Sequence, residues 1–363
     1  MSFTAKDVQA LREKTNVGMM DCKKALTEAD GDMDKAVEIL REKGLASAAK
    51  KSSRIAAEGV IGVYSDGKAS ALVELNCETD FVGKNPDFVA LANQIAKTVV
   101  EKNPADVEAL GATIISDGTL SVNDAIQELF LKIRENLKLR RFARMEGAVV
   151  SYIHAGGSVG VLVGFDTDAA DNEEFKAMGK NVAMQIAAMS PEYLDKDEIS
   201  ADELENMKKI TVESALNKPE SLPKPILNQV IEKVLAGGFW SDEDVKAYEE
   251  QKQNKFLFNF LSKEAVAKLA EIAVAGRELF ASNPIFGKVV DGRIDKQIKE
   301  ICLLEQEFVR SDIYQGNVGG YIASVAKAIG SDIKAKGFVR FAKGEGIEKK
   351  ADDFAAEVAS MVK

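Results

Sequence analysis

The sequence predicts an α+β fold. It has a compact helical unit, a duplicated core of antiparallel sheet plus helix, a long helical region and a C-terminal helical module. Three observations carry that expectation. A β-hairpin followed by a helix occurs twice in succession. Apolar residues recur at helical spacing both before and after that repeat. The chain has 363 residues, 46% of them hydrophobic, which at roughly 150 residues per domain is enough for two or three domains. The expected segments are 1–55, 56–145, 146–190, 191–300 and 301–363.

Residues 1–55 read as a helical unit with a linker. Thr4 and Asp7 suit a capping box, with Val8 and Leu11 following at helical spacing. Asn16-Val17-Gly18 breaks this helix and Met19-Met20 opens a second, carrying Cys22, Ala25 and Leu26. Asp30-Gly31-Asp32 turns and caps a third, with Ala36, Val37, Ile39 and Leu40, which is expected to end near Gly44. The stretch 46–54, cationic and Ala-rich, suits a linker. The opening residues read as an amphipathic helix rather than a signal peptide.

The first half of the core starts with two β-rich runs, Val60 to Tyr64 and Ala69 to Leu75, around Asp66-Gly67, a hairpin signal. Asn85-Pro86 then opens a helix with Phe88, Leu91, Ala92, Ile95 and Val99 on one face. A further helix is expected from about Val122 to Arg140. The second half repeats the first. Glu58-Gly59-Val60-Ile61 recurs as Glu146-Gly147-Ala148-Val149, Tyr64 as Tyr152, Ala71-Leu72-Val73 as Val161-Leu162-Val163, and Phe88 as Phe175. Matching Gln94-Ile95-Ala96 to Gln185-Ile186-Ala187 makes the second helix about one turn longer. The stretch 147–165 lacks Asp, Glu, Lys and Arg, but its glycines and β-branched residues favour two buried strands over a membrane span.

Residues 190–300 show helical periodicity at Ile226, Val230, Ile231 and Val234, and again from Ala265 to Phe280, with breaks at Gly237-Gly238 and Asn283-Pro284. A helical hairpin or coiled coil is expected. The surplus of 13 acids over 5 bases from Asp166 to Glu213 marks a solvated surface. The tail should add a helix from Val318 to Ile329, a strand from Phe338 to Phe341, and a last helix with Phe354, Val358 and Met361.

Composition removes several function classes. With 48 Lys+Arg against 58 Asp+Glu, the net charge is −10, which disfavours a general nucleic-acid binder, since neutralising phosphates needs clustered cations. A single histidine makes His-rich metal sites and a Ser-His-Asp triad hard to build. Three scattered cysteines without a CxxC point to neither a zinc ribbon nor a disulfide scaffold, and suit a reducing cytoplasm.

Gly62 to Ala69 nearly matches a phosphate-binding loop, but Ala69 offers no hydroxyl for Mg²⁺ and a strand follows where a helix is needed. Gly156-Gly157 is a turn. Lys138, Arg140, Arg141 and Arg144 read as a cationic helix end complementing the dipole. His154, alone beside a turn, reads as a structural or edge residue. One feature resists a bland reading. Thr79-Asp80-Phe81-Val82 stands between hairpin and helix in the first repeat, whereas the second has only Asp166-Thr167-Asp168-Ala169-Ala170. Burying a Phe yields ~1.5–3 kcal/mol, so a tucked ring is the common outcome. The absence of the loop from the sister repeat argues that the fold does not require that ring.

Four ordered motifs then carry a family resemblance. They are Leu11-Arg12 with Gly18 to Leu26, Asn76 to Val82, Tyr152-Ile153-His154 with Gly160 to Val163, and Gly337 to Phe341 followed by Gly344 to Glu348. Together they resemble the bacterial translation elongation factor Ts family, whose members exchange guanine nucleotide on the GTPase elongation factor Tu. Asn16-Val17 departs from the family's usual Gly-Ala, and the 219–284 region looks longer than its helical hairpin. The resemblance implies a UBA-like N-terminal domain and a dimerisation-like helical region, leaving open a homodimer or a two-to-two complex. It also implies no catalytic residue, no cofactor and a cytoplasmic location.

The implied contacts with elongation factor Tu are Arg12, Met19, Met20 and Lys23 from the N-terminal helices, His154 from the second half of the core, and Thr79, Asp80, Phe81 and Val82 as the loop that disturbs the partner's Mg²⁺ and phosphate site. Two rival readings stand beside this one. The first is an RNA- or ribosome-associated protein using the Lys138–Arg144 cations. The second is an enzyme with Cys77 as nucleophile, which lacks a nearby histidine base.

Overall fold

A computed structural model describes residues 3–15 and 17–348, and it divides the chain into two compact units. The larger comprises residues 1–190, 308–315 and 320–363, and the smaller 191–307 and 316–319. It is an α+β protein with N-terminal helices and two small antiparallel sheets.

The N-terminal helices are α1 (Ala5–Thr15), α2 (Met19–Glu28) and α3 (Met33–Lys51). The Asp7 carboxylate accepts the Thr4 N–H at 2.7 Å and its hydroxyl at 2.8 Å, and the Asp32 side chain caps α3. Val8, Leu11, Cys22, Ala25, Leu26, Ala36 and Leu40 form their common core. The third helix does not stop near Gly44 but continues through the expected linker to Lys51. Gly44 is there for close packing: a Cβ would lie 2.0 Å from Leu131 Cδ2.

Strands β1 (Glu58–Ser65) and β2 (Ala69–Cys77) pair as the expected hairpin. The Asp66 carboxylate accepts the N–H groups of Lys68 and Ala69 at 2.8 Å and so closes the turn. A single turn of helix, α4 (Asp80–Gly83), leads into α5 (Pro86–Lys102), whose first N–H groups are capped by Asn85. Helices α6 (Val107–Ala112) and α7 (Val122–Ile133) follow.

The helix expected to reach Arg140 ends at Ile133. Arg134 takes the left-handed conformation (φ 62°) and its N–H returns to the Phe130 carbonyl at 2.7 Å. The chain beyond pairs with β2 as strand β3 (Lys138–Glu146), completing a sheet of order β1-β2-β3. Lys138, Arg140, Arg141 and Arg144 are therefore strand residues, not a helix end.

The second half has β4 (Ala148–His154), β5 (Val159–Asp166) and α8 (Glu173–Met189). Helices α5 and α8 each have 17 residues, so the second is not longer. Asn85 and Asn172 cap them alike, and Phe88 and Phe175 stand three residues later, both buried. Gln94 and Gln185 are therefore not equivalent. The two sheets meet through Ile61, Leu72, Leu162 and Phe341.

The smaller unit contains α9 (Ala201–Leu216), α10 (Lys224–Ala236), α11 (Asp242–Gln251), α12 (Lys263–Ala275), α13 (Arg277–Ala281) and α14 (Pro284–Ile301). Helices α9 and α14 pack together as the expected helical pair. The enlarged insertion between them shares one core with that pair: Ile226, Val230, Val234, Leu269 and Phe280 cluster with Val212 and Leu216 of α9 and with Phe286 and Val290 of α14. The buried Asp244 carboxylate accepts bonds from Ser262 N–H (2.8 Å), Ser262 Oγ (2.9 Å) and Ser241 Oγ (2.7 Å).

Helix α15 (Val318–Ile329) and strand β6 (Lys334–Ala342) follow, and β6 completes the second sheet in the order β4-β5-β6. The expected last helix, with Phe354, Val358 and Met361, lies outside the described residues.

Candidate functional site

Strand β2 delivers the chain to the Thr79–Val82 loop at a fixed point. Thr79 is the N-cap of α4, its Oγ1 accepting the Val82 N–H at 3.4 Å. Behind it, the Glu135 carboxylate accepts three bonds, from Thr79 Oγ1 at 2.7 Å, Thr79 N–H at 2.9 Å and Glu78 N–H at 3.1 Å. The Glu78 carboxylate accepts the Asn136 N–H at 2.6 Å and pairs with Arg54 at 3.3 Å.

Val82 packs on the core of the first half. Gly83 is buried so closely on β1 that a Cβ would meet the Gly59 carbonyl oxygen at 2.9 Å. Asp80 pairs with Lys84 at 2.6 Å, and that bond holds its carboxyl below the usual range. Phe81, between these anchored neighbours, is 82% exposed. A large apolar side chain on a tethered turn is aimed at something other than this chain's interior.

The N-terminal candidates are also at the surface. Met19 is 51% and Met20 64% exposed, and Arg12 and Lys23 are exposed. Met19 and Met20 share a face of α2 with Lys23, since residues three and four apart are neighbours on a helix. Cys22, Ala25 and Leu26 fill the opposite face.

These helices and the loop share an anchor. Asp21, next to Met20, pairs with Arg134 at 2.6 Å, and Arg134 precedes the Glu135 that holds Thr79. His154 is not part of this assembly. It is exposed at the end of β4, with Nδ1 3.0 Å from the Tyr152 hydroxyl.

Two other groups of residues have structural roles. Burial and the carboxylates of Glu135 and Glu58 push the Cys77 thiol up to about 12. Its Sγ donates to the Thr79 carbonyl at 3.1 Å, so it stays protonated at neutral pH and is a poor nucleophile. The β3 cations are largely engaged. Arg140 and Arg141 bond the Glu74 carboxylate at 2.9 and 2.6 Å, and Arg144 pairs with Glu146.

Glu74, wholly buried, also accepts Gly344 N–H at 2.7 Å and Asn76 Nδ2 at 3.1 Å. Burial alone would raise its pKa, but these donors outweigh it and hold the carboxyl below its ordinary value. The Gly344–Glu348 segment is thereby fastened to the first sheet.

Nothing in the sequence pointed to Glu135 or Asn136, which fall inside an expected helix. Glu74 did leave a sign, as a lone carboxylate in the apolar run Ala71-Leu72-Val73-Glu74-Leu75. Among the described residues, no group of three or more His, Cys, Asp or Glu is placed to hold a metal ion, and no helix is long and apolar enough to cross a membrane.

The family model for elongation factor Ts matches residues 78–253 and 241–345. The chain is 39% identical to elongation factor Ts of Syntrophotalea carbinolica, over 100% of both chains. It is 41% identical to that of Clostridium botulinum (strain ATCC 19397 / Type A), over 98% of this chain and 97% of the relative. With that of Clostridium kluyveri it shares 40% identity over 99% of each. Such coverage takes in the 219–284 region, so the enlarged helical insertion is not peculiar to this chain.

An α+β scaffold that offers outward apolar side chains, with matches of this extent, defines a translation elongation factor. The chain belongs to the elongation factor Ts family.

Proposed function

We propose that the protein is a guanine-nucleotide exchange factor for the GTPase elongation factor Tu, acting in the cytoplasm by weakening the partner's hold on GDP. The observation that carries this reading is the Phe81 ring, 82% exposed on a loop whose neighbours are fixed by Glu135 and by the core. In this reading Phe81 enters an apolar crevice of the partner, and Asp80 disturbs the groups around its Mg²⁺ and phosphates. Met19 and Met20 pack on a partner helix, where an unbranched thioether side chain adapts well. Arg12 and Lys23 add polar contacts, and His154 meets a second part of the partner as an interface residue. The protein makes and breaks no covalent bond.

Linkage sets the energetics. A factor that binds the nucleotide-free GTPase more tightly than the loaded one must weaken nucleotide binding by the same ratio. Each ~1.4 kcal/mol of that preference is worth tenfold. Charges at the rim mainly set the encounter rate.

Stopped-flow release of fluorescent GDP from elongation factor Tu tests the proposal. Release should accelerate with the concentration of this protein and saturate. A release rate that ignores the protein at every concentration rules the reading out.

A further inference from the structure

The Thr79–Val82 loop does not hold itself in place. Helix α4 has four residues, fewer than an isolated helix needs to persist, so its conformation is imposed from outside. Much of that restraint comes from one tripeptide, Arg134-Glu135-Asn136, where the chain leaves α7 for β3.

The left-handed turn at Arg134 sends successive residues to different elements. The Arg134 guanidinium reaches Asp21 on α2 at 2.6 Å. The Glu135 carboxylate takes the three bonds from Glu78 and Thr79. Asn136 donates its backbone N–H to Glu78, and its side-chain amide to the carbonyls of Arg54 (2.7 Å) and Ser52 (3.3 Å). Lys51, at the end of α3, donates to the Arg134 carbonyl. One corner therefore ties together the helix bearing Met19 and Met20, the segment after α3 and the loop bearing Phe81.

We propose that Glu135 is a positioning residue for nucleotide exchange, its carboxylate fixing the Thr79 cap so that Phe81 is presented in a set direction relative to Met19 and Met20. By accepting the hydrogen bond from the Thr79 hydroxyl, Glu135 leaves that oxygen's lone pairs free for the Val82 N–H. By taking two backbone N–H groups, it fixes the plane of the chain one residue before Asp80.

Val82 and Gly83 would still anchor the far end of α4 without Glu135. Its loss should therefore leave the loop near its place but let the ring wander. A wandering ring costs ordering entropy at the moment of insertion. Encounter through the N-terminal helices and His154 is then spared, and the step that expels nucleotide is slowed. This inference rests on the exchange reading.

The test is stopped-flow release of fluorescent GDP from elongation factor Tu, using full-length wild type, Glu135→Ala, Glu135→Gln, Phe81→Ala and the Phe81→Ala/Glu135→Ala double variant. Glu135→Ala should lower the maximum release rate about tenfold while the half-saturating concentration stays within about twofold. Glu135→Gln, which keeps an acceptor for the two N–H groups, should recover much of that loss. In the Phe81→Ala background, Glu135→Ala should add less than about twofold, because both changes act through one ring.

An undiminished maximum rate for Glu135→Ala, or a full additional loss in the double variant, overturns the positioning role. If Phe81→Ala itself exchanges like wild type, it is the insertion of Phe81 that fails. Should Glu135→Ala not fold, Thr79→Val carries the same test. It removes the hydroxyl bond at nearly constant shape, and an unchanged maximum rate would again overturn the role.

Discussion

Replacing Phe81 with Ala separates the structural from the functional worth of one side chain. The ring is 82% exposed, so this chain gains little from it. Burying a Phe is worth ~1.5–3 kcal/mol. Scaled to the surface still open, the amount left for a partner is about 1.2–2.5 kcal/mol, or roughly eight- to seventyfold in rate if the ring is buried only as nucleotide leaves. The stability change should be within about 0.5 kcal/mol, as for other surface substitutions. Paired measurements read both numbers, urea unfolding of the free protein and stopped-flow release of fluorescent GDP at saturating protein. Slow release with unchanged unfolding is the expected result. A large loss of stability would show the ring working within its own chain, and unchanged release would show that it does nothing for the partner. Either outcome refutes the reasoning.

Three further outcomes follow from the geometry. Changing Met19 and Met20 together to Ala should raise the half-saturating concentration for elongation factor Tu about tenfold with little change in maximum rate, and an effect confined to the maximum rate would place them at the wrong step. Glu74→Gln should destabilise the protein at pH 7 by about 3 kcal/mol, because Arg140 and Arg141 lose a buried partner. The folded-state pKa of Glu74 is depressed, so its contribution is complete above about 4.5 and fades as pH falls through the lower folded value; urea unfolding of wild type and variant should converge as the pH is taken below about 4.5, and a constant gap would contradict the assignment. Cys77, pushed up to about 12 and buried, should resist iodoacetamide at pH 7.5 in the folded protein and react once it is unfolded, whereas rapid labelling of the native chain would reopen its candidacy as a nucleophile.

The parts of the fold legible in the sequence are those with local causes. Asn85 and Asn172 announce helix starts, Phe88 and Phe175 mark the buried faces, and Asp66-Gly67 sets the first hairpin. Strand β3 was hidden because Leu137, just before it, continues the helical spacing of Leu129, Phe130 and Ile133. The deciding factor, pairing with β2, lies 60 or more residues back in the chain. Glu135 was hidden for the same reason, since its bonds to Glu78 and Thr79 span 57 and 56 residues. Gly44 misled in the opposite way: it resembles a helix stop, yet its missing side chain makes room for Leu131.

The two repeats differ at the connection that holds the ring outward. Between strand and helix cap the first repeat has seven residues (78–84) and the second has five (167–171). Both halves then enter 17-residue helices with the same Asn cap and the same buried Phe. The shorter connection shows that this architecture closes without α4 and without Phe81. The longer one is nonetheless restrained by a carboxylate from a distant turn and by a buried glycine. Ordering a connection that the fold does not need costs about 1–2 kcal/mol of backbone entropy per residue, and its apolar tip gains nothing from the chain's own core. Burial of the ring in a partner would offset that cost, since a tip already fixed has less freedom to lose on binding.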